Sequence, residues 1–326
     1  GDSGYGLLEL WGSGNTVTGN DFSGNGPAFV DSSNSYDAST LINNNTGASD
    51  GLIYIEGKTG FFTSIQAAIN AADPNDTIYV GDGTYNENIQ ITKALTLLSV
   101  NGNGPTVIHG SQGGGGLGTI MILPGVNDVT IGDIGQGFHV IGYDGPTPGI
   151  EHAAIYMQGA HSGITIRGNN VEADGDAALM SEYNAAISDI VIDNNVFSGI
   201  TFVDPPASGD QFTVPNVARP LIFLGTNNGI DGVASDIASP SNQFPGAAGG
   251  TTTGGLKVGN VLVNIDATNA VITGNTFTGF TNAPQLRSRE ENPTIENNDF
   301  SNNAGGTTGL LVLDDGVPGT VANNSV

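Results

Sequence analysis

One short pattern recurs along this chain and restricts its fold more than any other feature: an Ile or Val, an Asn three residues later, and a Phe or Val two residues after that. It occurs at Val17/Asn20/Phe22, Ile166/Asn169/Val171, Ile192/Asn195/Phe197, Ile272/Asn275/Phe277, Ile295/Asn298/Phe300 and Val321/Asn324/Val326. From Ile166 to Ile192, Ile272 to Ile295 and Ile295 to Val321 the steps are 26, 23 and 26 residues. Repeats of that length stack into solenoids, because one repeat cannot bury its own apolar face.

The internal spacing predicts a bent strand. Side chains alternate along a straight strand, so Ile190 and Ile192 would face one side and Asn195 the other. A bend at 193–195 returns Asn195 and Phe197 to the interior, with Asn195 as the residue expected to take the left-handed conformation, which Asn tolerates. Stacked coil upon coil, Asn20, Asn169, Asn195, Asn275, Asn298 and Asn324 then form a hydrogen-bonded ladder, and the Phe rings stack. About ten residues earlier, Leu8/Leu10, Ile155/Met157, Val263/Ile265 and Leu311/Leu313 supply a second apolar strand to four of the copies. A leucine-rich horseshoe would need a Leu-dense consensus, and a sandwich would need hairpin signals. The chain shows neither. The expected fold is all-β: a right-handed parallel β-helix with one short capping α-helix.

That helix is predicted over 61–72, capped by Thr63 or Ser64, with Ile65, Ala68, Ile69 and Ala72 on one face. Together with Asp76-Thr-Ile-Tyr-Val-Gly-Asp-Gly-Thr-Tyr-Asn-Glu-Asn-Ile89 and Ile91-Thr-Lys-Ala-Leu-Thr-Leu-Leu98, it resembles the N-terminal cap and first coils of the pectin-lyase-like superfamily. Within that superfamily it is most similar to pectin methylesterases and to bacterial periplasmic β-helix repeat proteins. The specific resemblance covers 61–110. It implies a helix that shields the open end of a solenoid from edge-to-edge pairing.

Coil-like sequence also precedes this cap. Gly6-Leu-Leu-Glu-Leu10 matches Gly309-Leu-Leu-Val-Leu313, and Val17-Thr-Gly-Asn20 matches Val321-Ala-Asn-Asn324. Two readings stand: all coils look alike, or a module of about three hundred residues repeats in tandem. Residues 1–50 are thus assigned to coils like the end of a preceding module, and 51–326 to a capped β-helix. Residues 203–258, rich in Pro, Gly, Ala and Ser without the coil pattern, are expected to be an inserted loop or flap, or a disordered linker. The start at Gly1 without Met suggests a processed or excised chain.

Seven Lys+Arg against 32 Asp+Glu give a net charge of −25, which repels nucleic acid, anionic membranes and polyuronates unless cations intervene. With 0 Cys there are no disulfides or thiolate sites, and no apolar run is long enough to insert in a membrane. The composition fits a secreted or bacterial surface protein.

Catalysis in the resembled superfamily needs signatures that this chain lacks. There is no counterpart to the methylesterase Asp pair or its Arg-Pro-Trp segment. Asp314-Asp315 lacks the Cys-, His- and Gly-containing partners of the polygalacturonases, and Asp204-Pro205-Pro206 departs from the epimerase Asp-Pro-His. Residues 151–183 hold the densest polar set, where Arg167 and Glu172, each one residue past an inward position, point outward as glycan-binding candidates. The plainer alternative is a solvated face with an ion pair between adjacent coils. Asp174/Asp176 and Asp314/Asp315 offer hard oxygen ligands in turns, suited to Ca²⁺. His109, His139, His152 and His161 have no transition-metal spacing. These observations favour a structural or adhesive module that joins copies of itself or neighbouring modules end to end, as a tandem repeat or filament, with Ca²⁺ on its acidic surface. The other reading is a carbohydrate-active enzyme or glycan-binding protein of lyase or hydrolase type, acting on a polysaccharide.

Overall fold

The computed structural model describes residues 8–10, 16–22, 29–31, 45, 47, 50–111, 116–143, 152–175, 177–182, 185–201, 221–225, 235–245, 261–278, 285–288, 292–302, 312–313 and 319–325. From Thr77 onward the strands visit three sheets in strict rotation. Among the described residues sheet A has ten strands, and sheets B and C have eight each. Every coil strand pairs in parallel with its counterpart one turn away. Parallel crossovers of this kind are right-handed, and the architecture is the expected parallel β-helix.

Inward positions form continuous columns through the stack. On sheet A, Ile131, Ile166 and Ile192 align, as do Ile272, Ile295 and Val321 further along. On sheet B, Ile108, Val140, Val171 and Phe197 align in the same way. Apart from Val321, these side chains are fully buried or nearly so, each contributing about 1.5–3 kcal/mol. Farther on, Phe277 and Phe300 stack with ring centroids 4.5 Å apart and planes 5° from parallel.

From Asn169 to Asn324 the Asn ladder runs through the corners between sheets A and B as expected, with one correction and one addition. The left-handed residue is the one before the ladder Asn: Gly19, Gly168, Asn194, Ser241, Gly274, Asn297 and Asn323 all have positive φ, and no ladder Asn does. Placing the bend one residue earlier leaves the Asn backbone in ordinary conformation and turns its side chain into the corner. The added rung is Asn242. Asn195 donates its backbone N–H and its Nδ2 to Asn242 Oδ1 (3.0 and 3.1 Å), and Asn242 does the same to Asn275 (2.9 and 3.1 Å). Each following Nδ2 also reaches back to the carbonyl of the inward residue on the preceding coil, as Asn195 does to Ile166 (2.8 Å) and Asn275 to Ser239 (2.9 Å). At the upstream end Phe138 occupies the rung position and donates its N–H to Asn169 Oδ1 (2.9 Å).

Asn242 lies within 203–258, the range expected to be an insertion. There the strands Ile222–Gly225, Ser235–Pro240 and Gln243–Pro245 are coil strands of sheets C, A and B. The rest of that range lies outside the described residues.

The cap is α1, Ile65–Ala71, shorter than 61–72 because Ser64 is its N-cap and Ala72 its C-cap. Ser64 Oγ accepts from Ala67 N–H. The residues that carry the cap resemblance turn out to dock this helix. Glu87 accepts the N–H groups of Ile65 and Gln66 (3.0 and 3.1 Å). The Gln66 amide pairs with the backbone of Gln90 in both directions, and Lys93 Nζ donates to Ala72 O (2.7 Å). Strand Ile53–Ile55 adds antiparallel to Thr77–Val80 and covers that edge of sheet A, as solenoid ends require.

A second apolar cluster lies on the outer face of sheet C, where Met121, Tyr156, Met180 and Phe223 are buried with Ala153 and Ala177. Tyr156 aligns with Met121 and Met180, and Met180 with Phe223, so the four form one outward column. Before the cap, Leu8–Leu10 pairs in parallel with Phe29–Asp31 in a separate two-stranded sheet.

Candidate functional site

A set of partly exposed charged residues lies where sheet A turns into sheet B, on three successive coils. Arg167 ends strand His161–Arg167 and lies in register with Asp193 of the next coil. Its Nε donates to Asp193 Oδ2 at 3.0 Å, and Nη1 lies 3.7 Å from Asp133 Oδ1 on the preceding coil. The guanidinium thus bridges three coils while its side chain stays 35% exposed.

Around the corner on sheet B, Glu172 and His139 form a second pair across adjacent coils. His139 Nε2 lies 3.0 Å from Glu172 Oε2, with side chains 24% and 42% exposed. The contact becomes an ion pair when the ring is protonated. Both glycan-binding candidates therefore face outward as expected, but each carries its own partners, Arg167 with Asp133 and Asp193, Glu172 with His139. Ion pairing between adjacent coils, the plainer alternative, is present at Arg167, and a side-chain contact between coils takes its place at Glu172. In the turn after Asp133, Ile134 stands 68% exposed, an apolar surface beside the charged one.

The corner is held by close backbone approach. Gly168 has φ 70°, and a Cβ there would run into the Asp133 carbonyl, while one on Gly137 would meet the Gly168 carbonyl. Gly168→Ala is therefore expected to cost about 2–3 kcal/mol, a left-handed penalty plus displacement of the 133–136 turn. Urea unfolding of the variant checks this. An unchanged midpoint would mean that the corner is looser than its geometry.

Elsewhere in the dense 151–183 region, three of the described polar residues are buried away from this corner. Tyr156 belongs to the buried outer cluster, His152 is buried beside Tyr143, and His161 is buried with Nδ1 2.7 Å from Val126 O. Of the expected Ca²⁺ ligands, Asp174 is exposed in strand Asn170–Gly175, whereas Asp176, Asp314 and Asp315 lie outside the described residues. Among the described residues no group of three or more His, Asp or Glu converges as a metal site, and no helix is long and apolar enough to cross a membrane.

Sequence reasoning missed Asp133, Asp193 and His139. The signal for Asp193 was available, since it follows inward Ile192 as Arg167 follows Ile166, one period away. His139 and Asp133 sit on a coil that lacks the Asn rung.

No protein-family profile matches the chain. Over 100 residues it is 35% identical to a probable pectinesterase/pectinesterase inhibitor 17 of Arabidopsis thaliana, a match spanning 30% of this chain and 18% of that protein. The three-sheet stack and the docked cap make the chain a parallel β-helix, and this match supports a place in the pectin-lyase-like superfamily. Two solved structures are similar to this β-helix over 80% of its length: an alginate lyase from Paenibacillus sp. str. FPU-7, at TM-score 0.48 and 16% identity over 91% of that chain, and Geobacillus virus E2 ORF18, at 0.43 and 14% over 56%. The chain spans less than a fifth of the curated pectinesterase that it matches.

Proposed function

We propose that this β-helix is a carbohydrate-directed protein, exported from the cell, that holds a polysaccharide along its outer wall at the corner between sheets A and B. One observation carries the reading: Arg167, Asp133, Asp193, His139 and Glu172 place partly exposed hydrogen-bonding groups on consecutive coils, beside exposed Ile134. Coils repeat at ~4.8 Å, so the wall presents a periodic set of donors and acceptors to a periodic ligand. The outer face of sheet C offers a buried apolar column instead of such groups.

Net charge of −25 opposes a polyuronate, so the expected ligand is a neutral glycan. Calcium would bridge anionic glycans to the acidic surface, exposed Asp174 included. The His139–Glu172 pair supplies an imidazole held by a carboxylate, the arrangement that acid–base chemistry on a bound sugar would use.

The test is a panel of neutral and anionic polysaccharides, with and without Ca²⁺, scored for binding and for released reducing ends or unsaturated products. Arg167→Ala is expected to weaken binding at least tenfold, about 1.4 kcal/mol, and His139→Ala to abolish any product release while sparing binding. No retention of any glycan by the unaltered chain would end the proposal.

A further inference from the structure

The outer face of sheet A carries a second periodic column beside the ion-paired corner. Thr77, Thr96, Thr130 and Thr165 lie in direct register on four neighbouring strands of that sheet. The residue after each, Ile78, Leu97, Ile131 or Ile166, is inward and fully buried. Alternation therefore turns the four Thr side chains away from the core, and all four residues are partly exposed.

Thr suits a strand because its Cβ is branched, a preference that needs no hydroxyl. The next coil shows as much, since Val191 takes the same column in register with Thr165. What the Thr run adds is its hydroxyls, and none of the four has a hydrogen-bond partner among the described residues. Each keeps one donor and two acceptor sites, repeated every ~4.8 Å over about 14 Å. The column itself carries no charge. On its sheet B side, Arg167 lies two residues past Thr165 on the same face and is paired with Asp133 and Asp193. At the cap end, partly exposed Tyr79 lies two residues past Thr77. Its ring is stacked on Tyr54, with centroids 5.2 Å apart and planes 18° from parallel.

We infer that this column is the track on which the glycan lies, and that the glycan is an extended, β-linked neutral polymer running along the solenoid axis, about one sugar residue per coil. The inference rests on the carbohydrate reading above and narrows its substrate class. Charge complementarity selects the neutral polymer: an uncharged row of hydroxyls meets an uncharged polyol, whereas a polyanion meets the field of −25 charges. Register selects the extended form. A ligand whose residue repeat matches the coil rise keeps every hydroxyl in contact, while a coiled α-linked glucan turns its successive residues away from the wall. Tyr79 offers a sugar ring an apolar surface at one end, and Arg167 offers donors at the other.

The test compares β-1,4-linked cello-, xylo- and manno-oligosaccharides of increasing length with malto-oligosaccharides, by isothermal titration calorimetry on the full chain. Affinity for at least one β-linked series is expected to rise with each added residue along the column, and the malto-series to bind about tenfold more weakly or less. Thr130→Val and Thr165→Val each remove a hydroxyl while keeping the shape that Val191 already gives the column. Each is expected to weaken binding about 2- to 10-fold, and Val191→Thr to strengthen it by a similar factor. Urea midpoints check that the three variants fold. A glycan that binds, weakens with Arg167→Ala and is indifferent to all three substitutions overturns the track and leaves the carbohydrate reading standing. Equal affinity for the malto-series overturns the extended-chain assignment. No binding of any glycan by the unaltered chain ends both.

Discussion

Replacing Asn195 by Ala is expected to lower the free energy of unfolding by about 3–5 kcal/mol, although the side chain is small and uncharged. Asn195 is fully buried and works in both directions along the ladder. Its Oδ1 accepts from Asn169 N–H and Nδ2 (3.0 and 3.2 Å), and its Nδ2 donates to Ile166 O and to Asn242 Oδ1 (2.8 and 3.1 Å). Truncation strands polar groups on both neighbouring coils where no water reaches, at about 1–3 kcal/mol for each group that finds no substitute. Asp would be nearly as harmful, since it keeps the acceptor but replaces the donor with a buried charge. Equilibrium urea unfolding followed by circular dichroism measures the loss. A cost below about 1 kcal/mol would show that the corner repacks without its rung.

The second large effect is expected at Phe277. Its ring is fully buried and stacked on Phe300, so Phe277→Ala should cost about 3–5 kcal/mol for the cavity, of which about 0.5–1.5 kcal/mol belongs to the ring pair itself. A double variant with Phe300→Ala should therefore fall short of the sum of the single losses. Val271→Ala, on the same coil but 38% exposed, should change stability by less than about 0.5 kcal/mol. Since a solenoid's stability is a sum of neighbour terms, hydrogen exchange in the Phe277 variant should accelerate in the coils after Asn275 before those around Asn169. Uniform acceleration along the chain would contradict that picture.

Most of the architecture was legible because stacking repeats one solution at each coil. An inward Ile, a rung Asn and an inward Phe recur at fixed offsets, and the structure places them as read. The exceptions have local causes. Ser239 stands in the Ile column, which hid the coil of Asn242. That substitution is tolerated because the hydroxyl accepts from Asn242 Nδ2 (3.1 Å). The bend fell one residue early because the rung needs the Asn side chain, while the left-handed turn needs only a small or Asn-like neighbour. The site was harder to read. Arg167 and Glu172 could be placed outward by alternation, but their partners come from other coils, and which acidic residue meets Arg167 depends on the length of every turn between them. The docking of α1 by Glu87, Gln90 and Lys93 is tertiary in the same sense.

The rungs are joined by unequal lengths of chain. Successive ladder Asn residues are 26, 47, 33, 23 and 26 positions apart, yet the bonds between them vary by only a few tenths of an ångström. The molecule thus separates a conserved-geometry spine from a perimeter whose length is free, because loop closure grows only slowly in cost with added residues. A peptide grafted into the long arc between Asn195 and Asn242 would leave the spine's spacing untouched. A single residue inserted between Ile192 and Asn195 would throw the spine out of phase.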